Sequence, residues 1–191
     1  MKLIVWDIDD VLNDLMRCWF EDLEPGTRQK IRFEDLTCNP PYENLGISKH
    51  AFLASLDKFR VSEKGRNLAP NPRILEWFRS DGSRFRHLAL TARPRRSMPF
   101  LAEWVFRHFG HWIRTVSFVP SFREGEDLPV YDVSKAEFLG WLQRADFYID
   151  DIPENVKAAE MLGIKGFEYP QPWNKGMLTA DEILCRLSQF A

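Results

Sequence analysis

The sequence has few of the features that would set it apart from an ordinary globular protein. It contains only three cysteines, Cys18, Cys38 and Cys185, and they are widely scattered. An odd number of cysteines without paired spacing argues against a disulfide framework and against a cysteine-based zinc site. The charges nearly cancel, to a formal net charge of −2. We therefore expect neither a nucleic-acid polymer nor a membrane as a partner.

Long hydrophobic runs are also missing. The apolar stretch of residues 1–6 is too short for a signal peptide or a membrane span, and the chain shows no internal repeat. We therefore expect a location in the reducing cytoplasm. The sequence does contain 45% hydrophobic residues, including 15 Phe and 7 Trp. Its 191 residues are thus enough for the core of one domain, or of one domain with a small insertion.

Short apolar runs alternate with segments of helical spacing over most of the chain. This alternation predicts an α/β fold with a doubly wound, Rossmann-like parallel sheet. The predicted strands are residues 3–8, 87–91, 115–119, 147–149 and 164–167. Ligands of such sheets bind beyond the carboxyl ends of the strands. Asp7, Thr91 and Asp150 all fall at that edge of the predicted sheet.

The stretch of residues 13–68 does not follow the alternation. It has two helical parts, around residues 15–23 and 51–59. We interpret it as a small, mostly helical cap inserted after the first strand, with residues 1–12 and 69–191 forming the core. A cap in this position could cover a site at the strand ends.

Two pairs of carboxylates follow predicted strands, Asp7 with Asp9 and Asp150 with Asp151. Carboxylates held close together repel each other unless a cation or a shared proton relieves them. With no His or Cys nearby, an all-oxygen donor set favours Mg²⁺ over zinc. Acids that merely end strands would be the simpler explanation for one Asp. Two clusters in equivalent positions indicate a metal site.

Thr91 and Lys135 add groups that can bind phosphate. A strand-end threonine offers its hydroxyl and the backbone N–H groups that follow it, beginning with Ala92. Ser134 and Glu137 have the spacing of a capping box, which predicts Lys135 in the first turn of a helix. The positive end of the helix dipole opposes a cation there, and a bound anion would relieve that conflict. The alternative is a solvated surface lysine.

The order of these motifs resembles the haloacid dehalogenase superfamily of phosphohydrolases over nearly the whole chain. The matching elements are Asp-x-Asp, the strand-end Thr, the Lys at a helix start and the strand followed by Asp-Asp. One position departs from the pattern, since the family usually has glycine where this sequence has Asp10. The resemblance implies a Mg²⁺-dependent phosphomonoester hydrolase with the superfamily's fold.

The resemblance also implies a role for each matching residue. Asp7 would form an aspartyl-phosphate, and Asp9 would act as general acid and then as base, which requires a raised pKa for Asp9. The phosphate would be bound by Thr91, Ala92 and Lys135. The metal ligands would be Asp7, Asp9 through its backbone carbonyl, Asp150 and Asp151, the last directly or through water.

The identity of the phosphate ester is less well defined. Residues 103–110 and 169–174 resemble segments of 5′-nucleotidases and deoxyribonucleotidases, which favours a nucleoside monophosphate as the small phosphorylated metabolite. The alternatives are a sugar phosphate, a phosphoglycolate-like compound, or a member that binds phosphate without catalysis. Cap aromatics could stack on a base or form the cap's own core; they are Trp19, Phe20, Phe33, Tyr42 and Phe59.

Two further features bear on the site. Arg93, Arg95 and Arg96 follow the threonine and could meet a second anionic group of the substrate, or could be exposed. The loop of residues 120–133 is long for a strand-to-helix connection and is a candidate gate or a plain surface loop. A phosphoacceptor receiver domain uses similar residues, but its acid pair and its separate acceptor Asp both precede Thr and Lys. In this chain Thr91 and Lys135 precede Asp150 and Asp151, which argues against a receiver domain. The sequence leaves the oligomeric state open.

Overall fold

Five parallel strands form the central sheet of the computed structural model, which describes residues 1–28, 31–121, 123, 127 and 129–190. The strands are β1 (Leu3–Trp6), β2 (Arg86–Thr91), β3 (Ile113–Phe118), β4 (Phe147–Asp150) and β5 (Lys165–Glu168). Their order in the sheet is β3-β2-β1-β4-β5. These are the strands that the apolar runs predict, with small shifts at their ends. Buried parallel strands read as continuous apolar runs because helices cover both of their faces.

Helices pack on both faces of the sheet, as the doubly wound fold requires. Helices α5, α6 and α9 cover the face that carries Trp6, and α7 and α8 cover the face that carries Tyr148. The bounds are α5 (Pro72–Ser80), α6 (Met98–Phe109), α7 (Lys135–Leu142), α8 (Pro153–Met161) and α9 (Ala180–Gln189). The predicted fold class is therefore confirmed. No described helix has the length and apolar character needed to cross a membrane.

Local signals set the helix ends close to the site. The Asn71 side chain accepts a hydrogen bond from the N–H of Arg73, and Pro72 occupies the first turn of α5. Pro153 opens α8 immediately beyond β4. Gly163 follows the end of α8 with a φ of 79°, a conformation that glycine adopts without strain.

The stretch between β1 and α5 is mostly helical and has a hydrophobic cluster of its own. Its helices are α1 (Leu15–Asp22), α2 (Pro25–Arg28), α3 (Lys49–Val61) and α4 (Glu63–Arg66). Trp19 and Phe52 meet edge to face within this cluster, with ring centroids 5.2 Å apart. The helical insertion expected after the first strand is thus present. The precise division at residues 12/13 and 68/69 stays a prediction.

The chain enters and leaves this cap at adjacent points. The N–H of Asn71 donates to the carbonyl of Leu12 at 2.8 Å, and Asn13 and Pro70 form an antiparallel bridge. Trp104 of α6 donates its indole N–H to the carbonyl of Leu68 at 2.8 Å. Both crossings are therefore fixed to the core by hydrogen bonds.

Candidate active site

The three central strands bring Asp7, Thr91 and Asp150 to one edge of the sheet. β1 lies between β2 and β4; Asp7 directly follows β1, and Thr91 and Asp150 are the last residues of β2 and β4. All three side chains are buried. Because parallel strands end on the same side, residues far apart in sequence converge here.

Asp7, Asp150 and Asp151 form a buried carboxylate cluster. One oxygen from each lies within 4.8 Å of the others. Burial raises the pKa of Asp7 to about 7, with Asp150 adding to the effect and Lys135 opposing it. Burial, followed by repulsion from Asp150, also raises the pKa of Asp151 well above its usual value. Burial and repulsion between neighbouring carboxylates therefore oppose the ionised forms of Asp7 and Asp151 unless further positive charge is bound.

Lys135 is the cation nearest to this cluster among the described residues. Its Nζ lies 2.8 Å from Oδ1 of Asp7 and 2.7 Å from Oδ2 of Asp150. It occupies the first turn of α7, where Ser134 accepts a hydrogen bond from the N–H of Glu137. The predicted position of Lys135 in the first turn is thus confirmed. The capping box is incomplete, however, because the Glu137 side chain accepts from the N–H of Val133 and not from that of Ser134. Burial would lower the pKa of Lys135, but Asp150 and Asp7 outweigh it and raise that pKa.

Asp150 is held by more groups than the sequence analysis identified. The Tyr148 hydroxyl and the Lys135 ammonium both donate to its Oδ2. The Ile152 N–H donates to Oδ1 at 2.8 Å, and the Asn155 amide lies within hydrogen-bonding distance of both oxygens. Asn155 lies in the first turn of α8, where a polar side chain can point back to the strand end. The position of Asn155 in the first helical turn after β4 is the sequence signal from which its contact with Asp150 could have been predicted.

Asp151 is joined to the cap and to the last loop. Trp173 donates its indole N–H to Oδ2 of Asp151 at 2.9 Å, and Asn39 of the cap contacts the same oxygen at 3.3 Å. Trp173 also meets Phe33 of the cap edge to face, and Asn174 donates to the backbone carbonyl of Asp151. Trp173 and Asn174 of the segment 169–174 thus hold Asp151 in place.

Asp10 adopts the backbone conformation that a glycine would take at this position. Its φ is 63°, in the left-handed region that Asp and Asn tolerate best among residues with a side chain. Its Oδ1 accepts a hydrogen bond from the N–H of Met16 at 2.8 Å. Gln171 donates to its backbone carbonyl at 2.7 Å. Asp10 therefore preserves the turn, although the resemblance implies a glycine at this position.

Asp9 differs from the expectation for a general acid. Arg93 binds both of its oxygens, with Nε 2.6 Å from Oδ2, and Nη2 of Arg60 lies 3.4 Å from Oδ2. Burial by itself would raise the pKa of Asp9, but the two arginines outweigh burial and lower it. A lowered pKa opposes the protonated form that the general-acid role requires. The cause is a pair of cations whose place beside Asp9 was not predicted from the sequence.

Another buried acid, Asp57, contacts arginines from the cap and the core. It contacts Arg60 at 3.1 Å, Arg96 at 2.9 Å and Arg123 at 2.6 Å. Asp57 and Arg60 belong to α3, whereas the other two lie on the sheet side. We name Arg60, Arg93, Arg96 and Arg123 the arginine group. Neither Asp57 nor Arg60 was identified from the sequence, since their i,i+3 spacing is common on exposed helices.

A cleft of about 270 Å³ separates the acid cluster from the cap. Thr91, Ala92 and Lys135 line it together with Asp7 and Asp9, so all the predicted phosphate-binding residues share one cavity with the catalytic pair. Its lining among the described residues is Asp7, Asp9, Asp10, Leu15, Met16, Asn39, Pro40, Phe52, Leu53, Leu56, Arg60, Thr91, Ala92, Ser121, Arg123, Lys135, Asp151, Ile152 and Asn155.

The candidates for stacking on a base lie elsewhere. Phe52 is the aromatic residue of this lining, and the proposed stacking residues belong to the hydrophobic cluster of the cap; they are Trp19, Phe20, Phe33, Tyr42 and Phe59. Of the candidate gate at 120–133, Ser121 and Arg123 line the cleft. Residues 122, 124–126 and 128 of that loop lie outside the described residues.

The donor set of the acid cluster fits a magnesium ion. The three carboxylates are buried, offer only oxygen atoms and carry more negative charge than Lys135 balances. A small divalent cation would supply the missing charge and prefers such ligands. Asp7, Asp150 and Asp151 are therefore the side chains that would hold it.

Solved structures show which class of protein has this fold. A haloacid dehalogenase-like hydrolase from Streptococcus pneumoniae matches 100% of this chain and 99% of its own, with a TM-score of 0.60 and 15% identity. The fold is thus that of haloacid dehalogenase-type hydrolases.

Two further structures with this fold carry more specific names. A candidate phosphoglycolate phosphatase from Lactobacillus delbrueckii subsp. bulgaricus has a TM-score of 0.62 and 13% identity, over 99% of this chain and 97% of that one. A candidate β-phosphoglucomutase from Thermotoga maritima has a TM-score of 0.58 and 17% identity, over 100% of both chains. No protein-family model matches the sequence, and neither does any curated protein sequence. None of the three structures supports the resemblance to nucleotidases.

Proposed function

We propose that this protein is a Mg²⁺-dependent phosphatase that forms an aspartyl-phosphate on Asp7 and acts on a small phosphate ester other than a nucleotide. The observation that carries the proposal is the buried cluster of Asp7, Asp150 and Asp151 with Lys135 bonded into it. Acids that could bind a metal, a buried lysine and a strand-end threonine together form a site for a phosphoryl group.

Asp7 has the surroundings that a nucleophile needs. Within the described part of the chain, both hydrogen bonds to its carboxylate end on Oδ1, from the Ile8 N–H at 2.7 Å and from Lys135 at 2.8 Å. This fixes the orientation of the group and leaves Oδ2 to attack phosphorus. The bond from phosphorus to the ester oxygen then breaks, and water hydrolyses the resulting acyl phosphate.

The other residues of the cleft would bind the phosphoryl oxygens. Thr91 and Ala92 offer a hydroxyl and backbone N–H groups, and Lys135 offers an ammonium that already faces Asp7. A bound Mg²⁺ would neutralise charge that develops on the phosphoryl oxygens. Lys135 provides part of the same stabilisation from its fixed position on α7.

Asp9 suits one half of the reaction better than the other. As an ionised carboxylate it can accept a proton from the water that attacks the phosphorylated Asp7. To protonate a leaving alcohol it must first take up a proton, and its contacts with Arg93 and Arg60 oppose this. We infer that Asp9 exchanges its contact with Arg60, the longer of the two at 3.4 Å, when the substrate is an alkyl phosphate.

Two observations favour a sugar phosphate or a phosphoglycolate-like ester over a nucleotide. The proposed base-stacking residues are part of the cap's own cluster and do not line the described cleft. The cleft wall on the cap side carries Arg60, Asn39 and aliphatic residues, with Phe52 as its one aromatic residue among the described positions. A base would therefore find little aromatic surface beside the phosphate.

The test uses p-nitrophenyl phosphate with Mg²⁺, because its leaving group departs without a proton and the assay isolates Asp7 from Asp9. Asp7→Asn should lower kcat at least about 100-fold, and the exposed Asp14→Asn is the matched control, expected to keep the wild-type rate. EDTA should abolish the activity and added Mg²⁺ should restore it. An Asp7→Asn variant with more than about a hundredth of the wild-type kcat would remove Asp7 as nucleophile.

A second candidate function is phosphate binding without turnover, and the pairing of Asp9 with two arginines favours it. The two candidates differ in one measurement. A binding protein would show Mg²⁺-dependent affinity for inorganic phosphate by calorimetry, together with no hydrolysis of p-nitrophenyl phosphate. Hydrolysis that Asp7→Asn removes would exclude it.

A further inference from the structure

The wall of the cleft opposite the acid cluster is basic. Arg60 and Arg123 line the cleft on this side, together with Asp9. The side chain of Arg60 is 10% exposed and that of Arg123 is 16% exposed. The cleft thus has an acidic end that suits a metal and a basic end that a metal would avoid.

Among the described residues, guanidinium groups outnumber carboxylates at the basic end. Arg60, Arg93 and Arg96 contact two carboxylates, Asp9 and Asp57. Within that part of the chain, three guanidinium groups therefore share two negative charges. Like charges gathered in a partly buried site are unfavourable unless an anion completes the arrangement.

Arg60 also has an unused donor. Its Nε is the one buried side-chain nitrogen or oxygen without a hydrogen-bond partner in the part of the chain that the structure describes. Buried donors are nearly always paired, and an arginine whose donors are incompletely used is suited to a carboxylate or a phosphate. Because Arg60 also lines the cleft, its guanidinium group can turn an N–H towards a ligand when the long contact with Asp9 is exchanged.

The guanidinium group of Arg60 lies close to the residue that would face the leaving group of the substrate. Its Nη2 lies 3.4 Å from Oδ2 of Asp9, and Asp9 is the residue that would face the ester oxygen in the proposed reaction. A group bound to Arg60 is therefore carried on the alcohol side of the ester, a short distance from the bond that breaks. A long or bulky alcohol would place an anion beyond this reach.

We propose that Arg60, with Arg123 beside it, binds a second anionic group on the leaving group of the substrate. The inference rests on the proposed phosphatase function and narrows its substrate class to small phosphate esters that carry a carboxylate or a second phosphate. Binding of that group to Arg60 replaces the long contact with Asp9. The phosphoryl group stays at the acidic end, between Thr91 and Lys135.

The experiment compares substrates that differ only in this charge. Phosphoglycolate and its neutral amide, phosphoglycolamide, have nearly the same size, and a second pair, ethanediol bisphosphate and 2-hydroxyethyl phosphate, tests a phosphate in place of the carboxylate. In the wild-type protein the anionic member of at least one pair should have a kcat/KM about 10- to 100-fold higher. A higher kcat/KM in the first pair would show that the subsite binds a carboxylate, and a higher kcat/KM in the second pair that it binds a phosphate.

Arg60→Gln should reduce this ratio to below about 3. Both kcat/KM values of a ratio are measured on the same variant. A general loss of activity caused through Asp9 lowers both values and therefore cancels in the ratio. Lys58→Gln, at an exposed position of the same helix, is the matched control and should keep the wild-type ratio. An Arg60→Gln variant with the wild-type ratio would overturn the assignment.

The wild-type ratios are decisive if Arg60→Gln does not fold. Ratios near 1 for both pairs, in a protein that hydrolyses p-nitrophenyl phosphate, would overturn the second-anion subsite and leave the phosphatase proposal standing. No hydrolysis of p-nitrophenyl phosphate would remove the phosphatase proposal and this inference with it. A ratio of about 10 or more for either pair supports the subsite.

Discussion

His87 lies in the core as a neutral imidazole, and acidification should therefore destabilise the protein. Its Nδ1 accepts the indole N–H of Trp6 at 3.1 Å, and its Nε2 lies 2.8 Å from the carbonyl of Gly82. A neutral ring with its hydrogen on Nε2 satisfies both contacts. A second proton on Nδ1 would point at the indole N–H. Burial accordingly lowers the pKa of His87 to about 4, from 6.5.

The size and direction of the effect follow from this pKa. In the unfolded chain His87 takes up its proton near pH 6.5, before the folded protein does. Its contribution to stability is thus complete above pH 6.5 and is lost as the pH falls towards 4. The loss is about 2 kcal/mol between pH 8 and pH 5 and about 3 kcal/mol by pH 4.

Urea unfolding at pH 8 and pH 5 measures this loss against a variant that cannot titrate. Other groups, including Asp7, also change the stability in this range, so the relevant quantity is the wild-type change minus that of His87→Gln. We expect a difference of about 2 kcal/mol. The exposed His111→Gln is the control and should behave as wild type. Equal pH dependence in wild type and His87→Gln would refute the argument.

Two further predictions concern other buried acids. Both Asp10→Ala and Asp10→Gly lose the hydrogen bond to Met16, but only glycine adopts the φ of 63° without strain. In urea titrations the glycine variant should therefore be more stable than the alanine variant by about 1 kcal/mol. Equal stabilities of the two variants would contradict this. Asp57→Asn leaves several arginines without their shared acid and should cost about 3–5 kcal/mol. Asp22→Asn, which breaks the exposed pair with Lys64, should cost less than about 1 kcal/mol, and similar losses for both would show that the arginine group contributes little.

The fold could be predicted because its signals are local. Apolar runs such as that ending at Trp6 mark buried strands, and the position of an acid directly after such a run fixes its place at the carboxyl edge of the sheet. Asp7, Thr91 and Asp150 could be assembled in this way, since parallel topology brings strand ends together whatever their separation in sequence. Their chemical roles, the cytoplasmic location and the partner expected for the site stay predictions.

The basic side of the cleft could not be predicted in the same way. Arg60 reaches Asp9 from a helix of the cap, and nothing in its local sequence separates it from an exposed arginine. The lowered pKa of Asp9 could not be predicted for this reason, because the arginines that lower it lie outside the acid clusters and the metal site that the sequence predicts. Tyr148 reads as an ordinary core residue of β4, and only the three-dimensional structure shows its hydroxyl on Asp150.

The paired crossings join the cap to the core through two adjacent, hydrogen-bonded segments, at Leu12–Asn13 and Pro70–Asn71. Far from them in sequence, Asp57 of the cap pairs with Arg96 and Arg123. The cap is thus attached to the core in two ways, by backbone hydrogen bonds and by ion pairs. Raised ionic strength weakens attraction between charges that solvent reaches, so salt should weaken the second attachment and leave the first intact.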